Sequence, residues 1–355
     1  MEYPESAHRK NRKRFSSGWG SLVIVLLLLL AFTLFPSFGN LIYRHLFFPA
    51  FRFVWDYTIG LLPFPLVLLV IIALVGGFIH AIIKSVRGQR NILWMLTGWL
   101  ASWVASFFWM WGFHYACPNL MTYTPQQLRT ADYHAWALSQ AAELDSLRRL
   151  ASGTLDDELP ADSLRQAVKR VLREHDWPLS GAPEVHALRD GGWIRRLGIA
   201  GIYLPYAGEA YTSATFTPLA RHFIMAHELS HAYGVTHEGE ADYVAWQALR
   251  TSPAPALRYA GALQLFMQLR GALRAQHDSL WRHVVQQTPR LVQRDIELLR
   301  LDNGRYPEWR KGLGERVNDR YLKLMGQADG VATYDLFLDM AWQELHSSPS
   351  HEQQP

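Results

Sequence analysis

The sequence predicts a mainly α-helical protein with three N-terminal transmembrane helices, then a mostly helical domain holding a small extended or strand segment. Three observations lead there. Three long apolar runs fall in the first third of the chain. Helical periods dominate the rest, broken by a glycine-punctuated stretch between Val185 and Thr215. Inside one of those helical patterns stands His227-Glu228-Leu229-Ser230-His231, a His-Glu-x-x-His motif.

The first apolar run, Trp19 to Phe38, contains an uninterrupted Leu/Ile/Val stretch without charge. The second, Ile59 to Ile83, is interrupted by Pro63, Pro65 and Gly76-Gly77, and the third, Ile92 to Phe113, is rich in Trp. Each reaches the roughly 20 residues that cross a bilayer. The first run is too long for a usual signal peptide, and Phe35-Pro36-Ser37-Phe38 is not a small-residue cleavage site, so a retained anchor is expected. The chain then divides into a basic tail (1–18), a transmembrane region (19–113), a folded domain (114–345) and a polar, disordered tail (346–355).

Basic residues set the orientation. The tail carries Arg9, Lys10, Arg12, Lys13 and Arg14, and the loop between spans two and three carries Lys84, Arg87 and Arg90. The loop between spans one and two has Arg44 and Arg52, partly offset by Asp56. Tail and second loop are therefore expected in the cytoplasm and everything after Phe113 on the far side. The net charge of +4 arises from this asymmetry: through Phe113 there are 10 basic and 3 acidic residues, and afterwards 25 and 28. The basic balance thus gives no support to nucleic-acid binding. The single cysteine, Cys117, excludes a disulfide framework and a Cys-ligated metal within one chain.

Beyond the spans, Thr124-Pro125 is expected to open a helix running to about Ala151, and Leu159-Pro160 another running to Trp177. Val185 to Thr215, with Gly191-Gly192, Gly198, Gly201 and Gly208, reads as one or two strands. Glu209 there is a polar candidate near the site, more simply a solvated turn carboxylate. Thr217-Pro218 marks the N-cap and first residue of the motif helix, and Gly234 its terminator. Further helices are expected from Glu238, over Ala256 to Ala275, as a pair between Ser279 and Leu301, and over Trp309 to Met325 and Tyr334 to Leu345.

On a helix, positions i and i+4 share a face, so His227 and His231 can present two imidazoles to one metal ion. Glu228, beside the first, is positioned as a general base that takes a proton from water activated by zinc. A catalytic zinc needs a third protein ligand. Three side chains compete. His237 completes His-Glu-x-x-His-x-x-Gly-x-x-His, the metzincin spacing, but no Met lies in a convincing downstream turn. Glu238 would begin the next helix, with Asp242 one turn on, able to hold the second ring nitrogen of His227 or His231. Glu240 points about 200° from Glu238 on such a helix, so the two are alternatives. No oxyanion stabiliser stands out, Tyr321 being a guess.

These features together resemble an uncharacterised family of bacterial membrane proteins, domain of unknown function 3810. The resemblance rests on three spans, then Gly208-Glu209-Ala210, then His227-Glu228-Leu229-Ser230-His231, Gly234, the block Glu238-Gly239-Glu240-Ala241-Asp242, and Asn318-Asp319-Arg320-Tyr321-Leu322-Lys323. It implies a zincin-like protein of the bacterial inner membrane, its C-terminal domain periplasmic. Glu238-x-x-Ala241-Asp242 is also similar to the corresponding block of membrane-embedded gluzincin proteases, which implies Glu238 as ligand and Asp242 as the residue orienting a ligand histidine. The expectation is a zinc metallopeptidase whose partners are the lipid bilayer and a peptide or protein substrate. The competing expectation is a non-catalytic sensor or assembly protein with a structural zinc closed by four protein ligands.

Overall fold

The first layer is built by apolar composition. In the computed structural model, which describes residues 17–87, 92–121, 129–155 and 160–346, helix α1 (Ser17–Leu34) ends where Pro36 removes a backbone donor. The chain turns there into α2 (Pro36–Gly39), a π-helical stretch (Asn40–Phe47), α3 (Phe48–Asp56) and a 3-10 turn (Ile59–Leu61). Helices α4 (Val67–Val86) and α5 (Ile92–Met110) come next. α4 and α5, at 20 and 19 residues, are each long and apolar enough to cross a membrane. The first run is long and apolar enough only when Gly18–Leu34 is joined to Pro36–Leu61, and these two segments meet at a bend of 119°. Among the described residues two of the three expected spans are thus single helices, and the first is a bent pair, either a broken span or a re-entrant loop. The cause is Pro36 and the polar residues beyond it, which fold back onto the protein.

α5 packs on both α1 and α4. Gly18 of α1 seats against the Gly98 carbonyl, and Gly77 of α4 against the Trp99 ring, at positions where a Cβ would collide. Trp19 stacks on Trp94 with centroids 5.8 Å apart, so α1 and α5 start at the same end. The basic tail, Arg90, Thr124-Pro125 and the C-terminal tail from residue 347 lie outside the described residues; His346, assigned to that tail, ends a helix.

After a 3-10 turn (Gly112–Ala116) come α6 (Thr130–Leu150), α7 (Ala161–Glu174), strand β1 (Val185–Leu188), the short α8 (Gly192–Arg196), β2 (Gly201–Leu204) and β3 (Glu209–Ser213). Then α9 (Pro218–Ala232), α10 (Glu238–Arg250), α11 (Pro255–Gln276), α12 (Asp278–Gln287), α13 (Arg290–Gly304), α14 (Leu313–Leu324), a 3-10 segment (Gly330–Asp335) and α15 (Leu336–His346) complete the chain. Among the described residues there are three strands where one or two are expected. Their order is β1-β3-β2, β1 parallel and β2 antiparallel to β3, which leaves β2 at an edge. α10 is the centre of the helical layer, buried from Glu238 to Leu249 and packed by α7, α9, α11 and α15.

One hydrophobic core runs through both layers, from Val25 and Phe32 by way of Tyr43 and Phe113 to Leu229, Trp246 and Phe337. Polar bonds pin the junction. Tyr43 donates to the Trp109 carbonyl (3.1 Å), Arg52 to that of Gly208 (2.9 Å) and Trp55 to that of Ala207 (2.9 Å).

Candidate metal centre

α9 starts with Pro218 in its first turn and ends at Gly234, whose φ of +89° only glycine adopts without strain. The turn is tight because a Cβ on Gly234 would run into the His114 ring. It sends the chain back so that α10 begins at Glu238, facing the last two turns of α9. His227, His231 and Glu238 consequently converge, each offering one ligand atom within 4.8 Å of the others. The two Nε2 atoms are 3.0 Å apart, and a Glu238 carboxylate oxygen lies 3.2 Å from one and 3.4 Å from the other. All three side chains are buried.

The outer ring nitrogens explain what this cluster needs. His227 Nδ1 is 2.7 Å from Asp242 Oδ1, and His231 Nδ1 is 2.7 Å from the Val235 carbonyl. Both partners are acceptors, so each Nδ1 carries a hydrogen and each Nε2 faces inward. Two ring nitrogens 3.0 Å apart beside a carboxylate suit a shared positive charge, a proton or a metal ion. Ligands at about 2.0–2.1 Å around a tetrahedral zinc stand roughly 3.3 Å from one another, which matches these separations. The residues present fit the ion.

Electrostatics agree. Burial works against a charged imidazole, yet Asp242 and Glu238 outweigh it and raise the proton affinity of His227 well above the ordinary value; Glu238 does the same for His231. Burial likewise disfavours charge on Glu238, but the two histidines reverse this and hold its carboxyl far below the usual range. Glu228 is pushed upward by burial despite the neighbouring histidines, and its carboxylate accepts the backbone N–H of Tyr203 on β2. Gly201 makes that approach possible, since a Cβ there would come 2.5 Å from Glu228 Oε1.

The remaining expected residues stand apart from the cluster. His237 caps the start of α10 and is buried beside the triad without joining it. Glu240 turns away and accepts the N–H groups of Met121 and Leu120; burial pushes its carboxyl up to about 7. Tyr321 shares a hydroxyl contact of 3.2 Å with Tyr115. Glu209 is no solvated turn residue. It is buried on β3 and accepts the Leu66 N–H (2.8 Å) and the Tyr211 hydroxyl, because the β2–β3 turn is pressed onto the start of α4.

Two contributors carry no signal in the sequence around the motif. Tyr334 lies parallel to the His227 ring (6.3 Å, 6°), and its hydroxyl donates to Glu238. Trp111, one residue past α5, donates its ring N–H to the His231 carbonyl at 2.8 Å. Only the fold brings them in.

Residues 43–341 match the family model described as protein of unknown function DUF3810, and the chain belongs to that family. No curated protein and no solved structure matches it. It is a membrane-embedded, mainly helical protein with a small three-stranded sheet and a His/His/Glu cluster able to hold a metal ion.

Proposed function

We propose that this member of the DUF3810 family is a membrane-anchored zinc metallopeptidase, with His227, His231 and Glu238 as ligands and Glu228 as general base. The observation that carries the reading is the convergence of that triad with Glu228 held against the edge strand β2. Among the described residues three ligand atoms converge, and three protein ligands leave a coordination position for water, whereas structural sites are closed by four. This favours the enzyme over the structural-zinc alternative.

A zinc held by His227, His231 and Glu238 would supply Lewis acidity and lower the pKa of bound water to about 7. Glu228 would take a proton from water as its oxygen adds to the scissile carbonyl, and would pass that proton to the amine as the C–N bond breaks. Asp242 keeps His227 in the tautomer that ligates, and the Val235 carbonyl does so for His231. The Tyr334 hydroxyl lies beside His227 and Glu238, and on exchanging its bond to Glu238 it can donate to an oxygen gaining charge. The outer edge of β2 offers backbone groups to an extended peptide by strand addition. In this reading the protein resides in a bacterial cell membrane with the metal site extracytoplasmic, supported by Lys84 and Arg87 at the opposite end of the spans.

Metal analysis of the purified full chain, followed by cleavage of an unbiased peptide library, tests the proposal. Glu228→Gln retains zinc and loses at least about 100-fold in turnover. His227→Ala, His231→Ala and Glu238→Ala each lose the metal, while His237→Ala keeps it. A protein stripped of zinc by His237→Ala but not by Glu238→Ala sinks the ligand assignment. Zinc lost through Glu228→Gln, with activity persisting in the loaded fraction, sinks the role of Glu228.

A further inference from the structure

The metal site lies at the end of a membrane helix. α5 has 19 residues, about 28 Å of helix against a hydrocarbon core of about 30 Å, so its last residue, Met110, marks one boundary of the bilayer. The next residue, Trp111, bonds the His231 carbonyl, and its ring lies 6.2 Å from that of His231 and 5.8 Å from Tyr203. The metal helix therefore rests directly on the end of the span.

β2 descends from there. Its Tyr203 N–H meets Glu228, and three residues on, the Tyr206 hydroxyl donates to the Trp103 carbonyl at 2.9 Å. Trp103 precedes Met110 by seven positions, about 10 Å down α5. From the β2–β3 turn, the Tyr206 side chain thus reaches about two helical turns below Met110. That turn is clasped by Arg52 and Trp55 on α3.

The bent segment supplying those clasps is inverted relative to a soluble helix. Arg44, Arg52 and Asp56 face inward and are buried, while Leu46, Phe53, Val54 and Leu61 are 58–70% exposed. This outward apolar face is continuous in the chain with α1 and leads into α4, so lipid covers it. On β2 itself, Ile202 is 42% exposed.

We infer that the site acts on polypeptide held at the bilayer, received along the outer edge of β2 within a few residues of a membrane-embedded segment. The inference rests on the peptidase reading and adds the substrate class to it. An extended chain on β2 covers about 3.3 Å per residue, so a strand paired there reaches the apolar boundary within three or four residues of Glu228. A freely soluble peptide gains nothing from this arrangement, whereas a tethered one is presented at high effective concentration.

Photo-capture tests this apart from catalysis. The zinc-loaded Glu228→Gln full chain is placed in phosphatidylethanolamine/phosphatidylglycerol vesicles. The probes are pooled single-span peptides bearing a randomised, diazirine-labelled segment about four or about twenty residues from the span, with the detached soluble segment as comparison. The expected result is at least about tenfold more cross-linking to residues 198–206 from the short-spacer pool than from either other pool. Equal capture of the soluble pool, preference for the long spacer, or no capture at 198–206 overturns the inference. Turnover of the same pools by the unsubstituted protein separately decides the peptidase reading. Efficient hydrolysis of the soluble pool leaves that reading standing while the inference falls. Tether-dependent capture without hydrolysis in any pool upholds delivery along β2 and removes the peptidase.

Discussion

Gly201 makes a tight demand on a single position near the cluster. Its missing side chain is what allows Glu228 to sit against β2, with Ile224 closing the other side at 2.8 Å from where a Cβ would be. A methyl group there has only Glu228 or Ile224 to displace. Gly201→Ala is expected to retain zinc yet lose about 10- to 100-fold in turnover, since a displacement near 1 Å of a catalytic group has that order of effect. Metal content and kcat measured on one preparation check it, and unchanged kcat would remove Glu228's contact with β2 from the mechanism. Asp242 belongs to the same scale. Its hold on His227 Nδ1 sets which nitrogen faces inward, so the cluster's chemistry depends on a carboxylate outside it.

At the scale of elements, a buried carboxylate helps fasten the sheet to the membrane helices. Glu209 on β3 accepts the N–H of Leu66, the residue before α4, while the Tyr211 hydroxyl accepts that of Val67 at 3.1 Å. A helix start leaves its first N–H groups without intrahelical partners, and here β3 supplies them where water is excluded. Glu209→Ala strands a buried donor and is expected to cost roughly 1–3 kcal/mol of stability, Glu209→Gln less. Thermal unfolding in detergent micelles reads this, and an Ala variant as stable as the original would show that the contact holds nothing. The same fastening positions β2, so the Ala variant also lowers turnover while retaining zinc.

For the whole molecule, the spans separate two ends of unlike chemistry. Lys84 and Arg87 close α4 at the end from which α5 starts, and Trp111 meets the metal cluster at the other, about 28 Å away. The charge rule for membrane loops leads us to expect the basic end in the cytoplasm and the candidate metal site outside it. A reporter active only in the cytoplasm is expected to work when fused at Arg87 and to be silent when fused after Gln354. The reverse pattern moves the site to the cytoplasm. The bent pair does not alter this expectation, because α4 and α5 form an antiparallel hairpin whichever way residues 36–61 meet the lipid.

Features with a local cause were legible in the residues alone. Apolar runs name the spans because a bilayer asks only for length and hydrophobicity. His227, His231, Glu238 and Asp242 stand at helical spacings on either side of a glycine turn, so four-residue periodicity was enough to suggest their faces. The third ligand stayed open between Glu238, His237 and Glu240, because choosing among neighbours requires the angle between α9 and α10, which packing on α7, α11 and α15 sets. Strands of four and five residues hold too few alternations to be counted, hence three strands among the described residues where one or two were expected. Glu209 read as a turn residue because its partner, Leu66, is 143 positions away. Tyr334 and Trp111 had no local signature either. They arise from a core shared between membrane helices and metal helices, and contacts across such a core depend on the whole chain folding around it.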